Sequence, residues 1–198
     1  CSTGVIGQFL PMGKVEEGIA SAVARLSINE GESAALAIQT TDTFIKKVAY
    51  EFEIGGKEAK IAGIAKGAGM IHPNMATTLN FITSDCAVSS KMLQKALSEI
   101  VKVTYNCLSV DGDTSTNDMV SLMANGLAGN EEIVTENDDY AIFKKALYIV
   151  MECMTMMLAS DGEGASKMLE CTVSGAPDQD TAIIVAKSII RSPLTKCA

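Results

Sequence analysis

Tryptophan is absent from this chain of 198 residues, and the other aromatics are few, with five Phe and four Tyr. Met, Ile, Val, Leu and Ala must therefore fill the interior, and eleven methionines point to plastic, gap-filling packing. Histidine occurs once, as His72, and the six cysteines (Cys1, Cys86, Cys107, Cys153, Cys171, Cys197) show no CxxC spacing. Structural zinc needs closely spaced Cys or His ligands, so no metal site is expected. Cysteine nucleophile chemistry has little support either, because only one imidazole is available as a base. Most of the thiols sit in apolar runs and read as small core residues kept reduced, which fits a cytoplasmic protein. Lys and Arg form no cluster, and the formal net charge is −8. A duplex-binding domain normally carries a basic patch, so nucleic acid is excluded as a partner. No apolar run reaches the roughly 18 residues of a membrane span, so no membrane partner is expected. No signal peptide is visible. The chain starts at Cys1 inside a motif and stops at TKCA with no terminal element, so it reads as an internal piece of a longer protein.

What is present is a chain 47% hydrophobic and 20% charged, ample for one or two globular domains with a sizeable core. Ser2-Thr3-Gly4 reads as a turn entering a helix, which Pro11-Met12 interrupts and which resumes near Lys14 with a stripe at Val15, Ile19, Val23 and Leu26. Ala34–Thr43 reads as a strand running into a polar corner. Phe44–Ile54 and Glu58–Ile64 read as a hairpin around Gly55-Gly56. A strand is expected from Thr77 to Ser84, then a helix from Lys91 to Asn106, capped by Ser89 or Ser90, with Leu93, Leu97, Ile100 and Val101 on one face. The polar loop Val110–Asn117 opens a second helix through Ala124, ended by Asn125-Gly126. A long helix follows from Asp139 to about Leu158, then a strand over Lys167–Ser174 and a last helix from Asp180 to about Arg191. Strands and apolar helices in blocks predict a layered α+β fold.

The most informative stretch is KGAGMIHPNMATTLN, Lys66 to Asn80. A small residue, Ala76, precedes Thr77 at the mouth of an apolar segment. The Thr77 hydroxyl can attack the Ala76 carbonyl, and hydrolysis of the ester frees an α-amine on Thr77. Such an amine has a pKa of about 7.7–8.0, so it can serve as base for its own hydroxyl. A bare Ala-Thr is more ordinarily the start of an edge strand; the whole string is much rarer than the dipeptide. Two look-alikes fall away. Asp111–Asp118 lacks the glycine an EF-hand needs at its sixth loop position, where Thr116 stands. GIAKGAG lacks the Lys-Ser/Thr of a phosphate loop.

In order along the chain stand CSTGVIG (Cys1–Gly7), TTDT (Thr40–Thr43), KGAGM (Lys66–Met70) and PNMAT (Pro73–Thr77). DGDTSTND (Asp111–Asp118), ANG (Ala124–Gly126) and DGEGASK (Asp161–Lys167) follow. Through these motifs the sequence resembles the ornithine acetyltransferases of arginine biosynthesis, also called glutamate N-acetyltransferases (ArgJ type). The resemblance implies an αββα sandwich like that of the N-terminal-nucleophile hydrolases but differently connected. It implies cleavage at Ala76-Thr77, so that residues 1–76 end an α chain and residues 77–198 begin a β chain of one catalytic domain. It implies Thr77 as nucleophile and Thr3 and Gly4 as oxyanion donors. Two such donors at a helix start also make physical sense, although from those residues alone an N-cap is the commoner reading. Thr40, Lys66, Thr77 and Glu163 are the implied substrate contacts. On their own they read as a strand-end turn, a solvated lysine and a loop acid. N2-acetylornithine and glutamate are the implied substrates, with no cofactor. Acetyl-coenzyme A is a further donor that some members accept, and the implied assembly is an α/β heterotetramer. A related hydrolase or aminopeptidase, and a non-catalytic fragment, remain as alternatives.

Overall fold

A computed structural model describes residues 1, 3–72 and 78–197. Four strands form one sheet in the order β1-β2-β3-β4: β1 Lys46–Ile54, β2 Lys57–Lys66, β3 Leu79–Ser84 and β4 Met119–Ala124. β1 and β2 are the expected hairpin, with Gly55 and Gly56 at φ +55° and +71° making the turn that residues with a Cβ resist. β2 pairs antiparallel with β3. β3 pairs parallel with β4, the chain crossing between them through helix α3, Ser90–Val103. The chain on either side of residues 73–77 thus shares one sheet.

Inward positions of β1 (Val48, Tyr50, Phe52, Ile54) and of β2 (Ala59, Ile61, Ala65) follow the two-residue period of a strand. Against them packs α4, Asp138–Ser160, whose start is capped by the Asn137 side chain accepting from Tyr140 N–H. Its buried residues, among them Phe143, Leu147, Val150, Met154 and Leu158, recur every three or four positions. Each such side chain removed from water contributes about 1.5–3 kcal/mol. α4 lies close to β2 because Gly63 has no side chain: a Cβ there would stand 2.7 Å from Met154 Cε. α3 covers the same side with Met92, Ala96, Ile100 and Val101, while Leu93 and Leu97 are partly buried. Ile100 and Val101 are buried as expected, and Met92 and Ala96 take the fully buried places beside Leu93 and Leu97. Ser89 is the N-cap residue, but its side chain makes no capping bond.

Several expected elements differ. No helix starts at Thr3-Gly4; the first, α1, is Met12–Ala24, and its stripe at Ile19 and Val23 is exposed. Ala34–Thr43 is not a strand, because its alanine-rich start completes helix α2, Gly31–Ala37. Residues 119–124 form β4 rather than a helix: a six-residue helix has little to hold it together, whereas pairing with β3 satisfies its backbone. Lys167–Ser174 is irregular, since no described strand pairs with it. α5, Gln179–Ile190, stands as expected, followed by α6, Pro193–Cys197. Of the cysteines only Cys86 is a buried core residue. Among the described residues no helix is long and apolar enough to cross a membrane.

Candidate functional site

The start of β1, the end of β2 and the starts of β3 and β4 all lie at one end of the sheet, as the pairings Lys46–Ala65, Lys66–Leu79 and Leu79–Met119 require. The motif residues gather there. Lys46 continues the inward row of Val48, Tyr50 and Phe52, and its side chain is wholly buried. Its ammonium donates to Asp42 at 2.6 Å and also to Asp161. Asp42 accepts in addition from Gly67 N–H at 2.7 Å and Thr40 N–H at 3.1 Å. Asp161 accepts from Thr43 N–H at 3.0 Å and from the Thr43 hydroxyl. Burial works to raise both carboxyls, but these hydrogen bonds and the lysine charge outweigh it, and both pKa values lie below the usual 3.8.

One lysine thus ties TTDT to DGEGASK, and Asp42 ties both to the backbone of KGAGM. Sequence reasoning missed Lys46. The available signal was a lysine in phase with the buried residues of its strand. Asp161, the first residue of DGEGASK, is one of the two carboxylates of a buried ion-pair cluster.

Lys66 is 8% exposed, and among the described residues it makes no ion pair. Burial lowers its pKa, opposed by the charges of Asp42 and Asp118 and reinforced by that of Lys46. Asp118, half-buried just before β4, has its carboxyl pushed up to about 6 by burial, against a hydrogen bond from Ser115 and the charge of Lys66.

Gly67, at φ +151°, allows the chain to turn at this point; a Cβ there would stand 2.8 Å from Thr78 Cγ2. Glu163 is exposed and lies over the same loop. Its N–H donates to Ala68 O at 2.8 Å, and a Cβ on Gly69 would stand 2.6 Å from its carboxylate. Met70 takes the left-handed φ of 55°, costly for a side chain of its size, and Asp111 holds it there. The Asp111 carboxylate accepts from Met70 N–H at 2.6 Å and Ile71 N–H at 3.0 Å. Thr114 donates to His72 O at 2.8 Å. The His72 ring contacts Ser109 Oγ at 3.0 Å, and its pKa is lowered by burial and by Lys187 and Arg191. On the far side of residues 73–77, Thr78 is buried, bonds to the Asn80 amide and accepts from Met119 N–H at 3.0 Å.

Thr40, Lys66 and Glu163 are accordingly brought to one loop cluster that flanks residues 73–77. Thr3 and Gly4 are exposed, Gly4 at φ +53°, and no bond joins Thr3 to that cluster. With α1 starting at Met12, no helix dipole stands behind them. Ala76 and Thr77 lie outside the described residues. A groove of about 970 Å³ between α4, α5 and the 164–173 stretch touches Glu163 alone among the expected residues. The described residues hold no cluster of His, Cys, Asp and Glu suited to a metal ion.

Comparison with known proteins gives one consistent likeness. The chain matches the ArgJ family over residues 1–198. It is 53% identical over 200 residues to the arginine biosynthesis bifunctional protein ArgJ of Lactococcus lactis, covering all of this chain and 50% of that protein. It is 50% identical over 197 residues to the ArgJ of Bacillus subtilis, covering 48% of that protein. The chain spans about half the length of the curated relatives it matches. The crystal structure of ArgJ from Bacillus halodurans superposes with a TM-score of 0.56 at 48% identity, over 58% of this chain and 54% of that one.

Proposed function

Because the chain belongs to the ArgJ family, we propose that the protein carrying it is an acetyltransferase working through a covalent threonine ester. After self-cleavage at Ala76-Thr77 the freed Thr77 amine takes the proton of its own hydroxyl, and Oγ attacks the acetyl carbonyl of N2-acetylornithine. Thr3 and Gly4 donate to the developing oxyanion, an interaction whose loss typically costs about 2.7–4 kcal/mol. The proton passes to the departing ornithine amine. Glutamate then attacks the acetyl-Thr77 ester, N-acetylglutamate leaves, and the Thr77 hydroxyl regains its proton. This is a ping-pong cycle. Acetyl-coenzyme A can replace the first donor.

The observation that carries this reading is Lys66, a buried ammonium with no ion-pair partner among the described residues, at the end of β2 next to the Gly67–Gly69 loop that Asp42 and Glu163 contact. A buried charge without a counter-ion is costly, and a substrate carboxylate would supply the missing one. Glu163 would face the substrate's ammonium group.

The sheet face away from α3 and α4 fits the second layer of an αββα sandwich. Ala62, Ile64 and Phe81 are only half-buried there, and Met123 is 50% exposed. That layer and the further substrate contacts would come from the rest of the longer protein, assembled as an α/β heterotetramer in the cytoplasm.

Intact mass of the denatured full-length protein tests the first step, with two fragments expected from the break between Ala76 and Thr77. Acetyl transfer from N2-acetylornithine to glutamate tests the second. Thr77→Ala should abolish both, and a cleaved, active Thr77→Ala protein would sink the reading. Release of acetate without acetylation of glutamate would favour a hydrolase instead.

A further inference from the structure

Each of the three segments that carry an expected substrate contact is tied to the same ammonium group. Lys46 Nζ donates to Asp42 Oδ1 at 2.6 Å and also to Asp161 Oδ2. The Asp42 carboxylate stands two residues after Thr40 and accepts its N–H at 3.1 Å. It also accepts from Gly67 N–H at 2.7 Å, one residue after Lys66. Asp161 stands two residues before Glu163, whose N–H donates to Ala68 O at 2.8 Å. Thr43 closes the ring on Asp161 with its N–H at 3.0 Å and with its hydroxyl. Lys46 is fixed in turn to the strand that ends in Lys66, because it pairs with Ala65. The side chains of Lys46 and Asp42 are 0% exposed and that of Asp161 is 2% exposed. No ligand reaches the ammonium itself, so Lys46 acts on a bound molecule only through the groups it holds.

We propose that Lys46, Asp42 and Asp161 are positioning residues for substrate binding, a buried clasp that sets Thr40, Lys66 and Glu163 in one fixed arrangement. The inference rests on the reading of those three as substrate contacts, and it adds residues which that reading does not assign. Lys46 continues the inward row of Val48, Tyr50 and Phe52, where an aliphatic side chain would fill the same space. Apolar contact has no direction, whereas charge-assisted hydrogen bonds fix both distance and angle. A buried ion pair adds little stability over a well-packed apolar replacement. What the clasp supplies, and apolar packing does not, is a defined spatial relation between three loops that are far apart in the chain.

The test is steady-state acetyl transfer by the full-length protein, with active sites counted by the ornithine released from N2-acetylornithine before glutamate is added. Unfolded protein lowers that count and leaves KM alone, so KM separates positioning from simple loss of enzyme. Lys46→Met strands two buried carboxylates, so the variants act on its partners instead. Asp42→Asn keeps the size of the side chain and removes its charge. It should raise KM for both N2-acetylornithine and glutamate by about 10- to 100-fold, the penalty for groups displaced by about an ångström. The kcat per active site should change much less. Thr43→Val keeps every charge, removes one donor to Asp161 and should raise both KM values by a smaller factor. If Asp42→Asn gives no folded enzyme, Thr43→Val decides. A lowered site count with unmoved KM values marks a purely structural cluster and overturns the proposal. Lys66→Met, assayed alongside, separates the two possible failures. A KM raised by Lys66→Met and unmoved by the clasp variant leaves Lys66 as a substrate contact and removes only the clasp's role. KM values unmoved in both remove the underlying reading as well.

Discussion

Lys46 and Lys66 stand at the same end of the same sheet, one at the start of β1 and the other at the end of β2, and both are almost wholly buried. Around Lys46 every demand is met: two carboxylates face it, and those carboxylates are bonded in turn to Thr40, Thr43 and Gly67. Around Lys66 the demand is left open, with no ion pair among the described residues and only screened attraction from Asp42 and Asp118. The first arrangement joins three segments of chain into one piece. The second leaves a charge without a direct partner among the described residues. Burial alone does not separate the two lysines; the count of partners does.

The largest expected effect breaks the satisfied side. Lys46→Met should destabilise the fold by about 3–5 kcal/mol, because it leaves two buried carboxylates without their cation; denaturant unfolding measures it. The same variant changes the acid limb of stability. Asp42 and Asp161 have folded pKa values below the unfolded 3.8. The stability they confer is therefore full above that value and lost as pH falls through the folded ones. Lys46→Met should flatten this acid dependence.

Next, Gly67→Ala strikes the turn after Lys66, where Asp42 holds the Gly67 N–H. With φ at +151° and Thr78 Cγ2 2.8 Å from the new Cβ, a loss of about 1–3 kcal/mol is expected, together with slower self-cleavage by mass spectrometry. Lys66→Met sharpens the contrast with Lys46. Its thermal stability near neutral pH should stay within about 1 kcal/mol of the parent, or rise, because an uncompensated charge is removed from the interior. The parent's own stability should rise with pH between the folded Lys66 value and 10.5, where the unfolded chain binds the extra proton. Lys66→Met should lose that slope, and in the full-length protein KM should rise steeply. The smallest effect lies away from both lysines. Ile19→Ser on exposed α1 should change the stability of this chain by no more than about 0.5 kcal/mol.

Local patterns made the hairpin, α4 and α5 legible, since alternation, Gly55-Gly56 and the three-to-four spacing from Tyr140 to Leu158 each carry their own signal. Residues 119–124 did not, because Met, Leu and Ala suit either element and the deciding backbone partner, β3, is remote in sequence. Lys167–Ser174 failed for the converse reason: a pattern that fits a strand found no described strand to pair with. In the candidate site, Thr40, Lys66 and Glu163 could be named from their motifs, whereas the structural roles of Lys46 and Asp111 could not.

The sequence by itself determined the family, through seven short motifs in order, and the chemistry those residue types allow. It also determined which segments alternate and which wind, because these are properties of near neighbours. Only the tertiary structure decided that Asp42 and Asp161 would share one lysine while Lys66 would stand without a direct partner. Charge and solvation depend on what surrounds a group in space. Groups 13 to 115 residues apart in the chain become neighbours only when the fold is assembled.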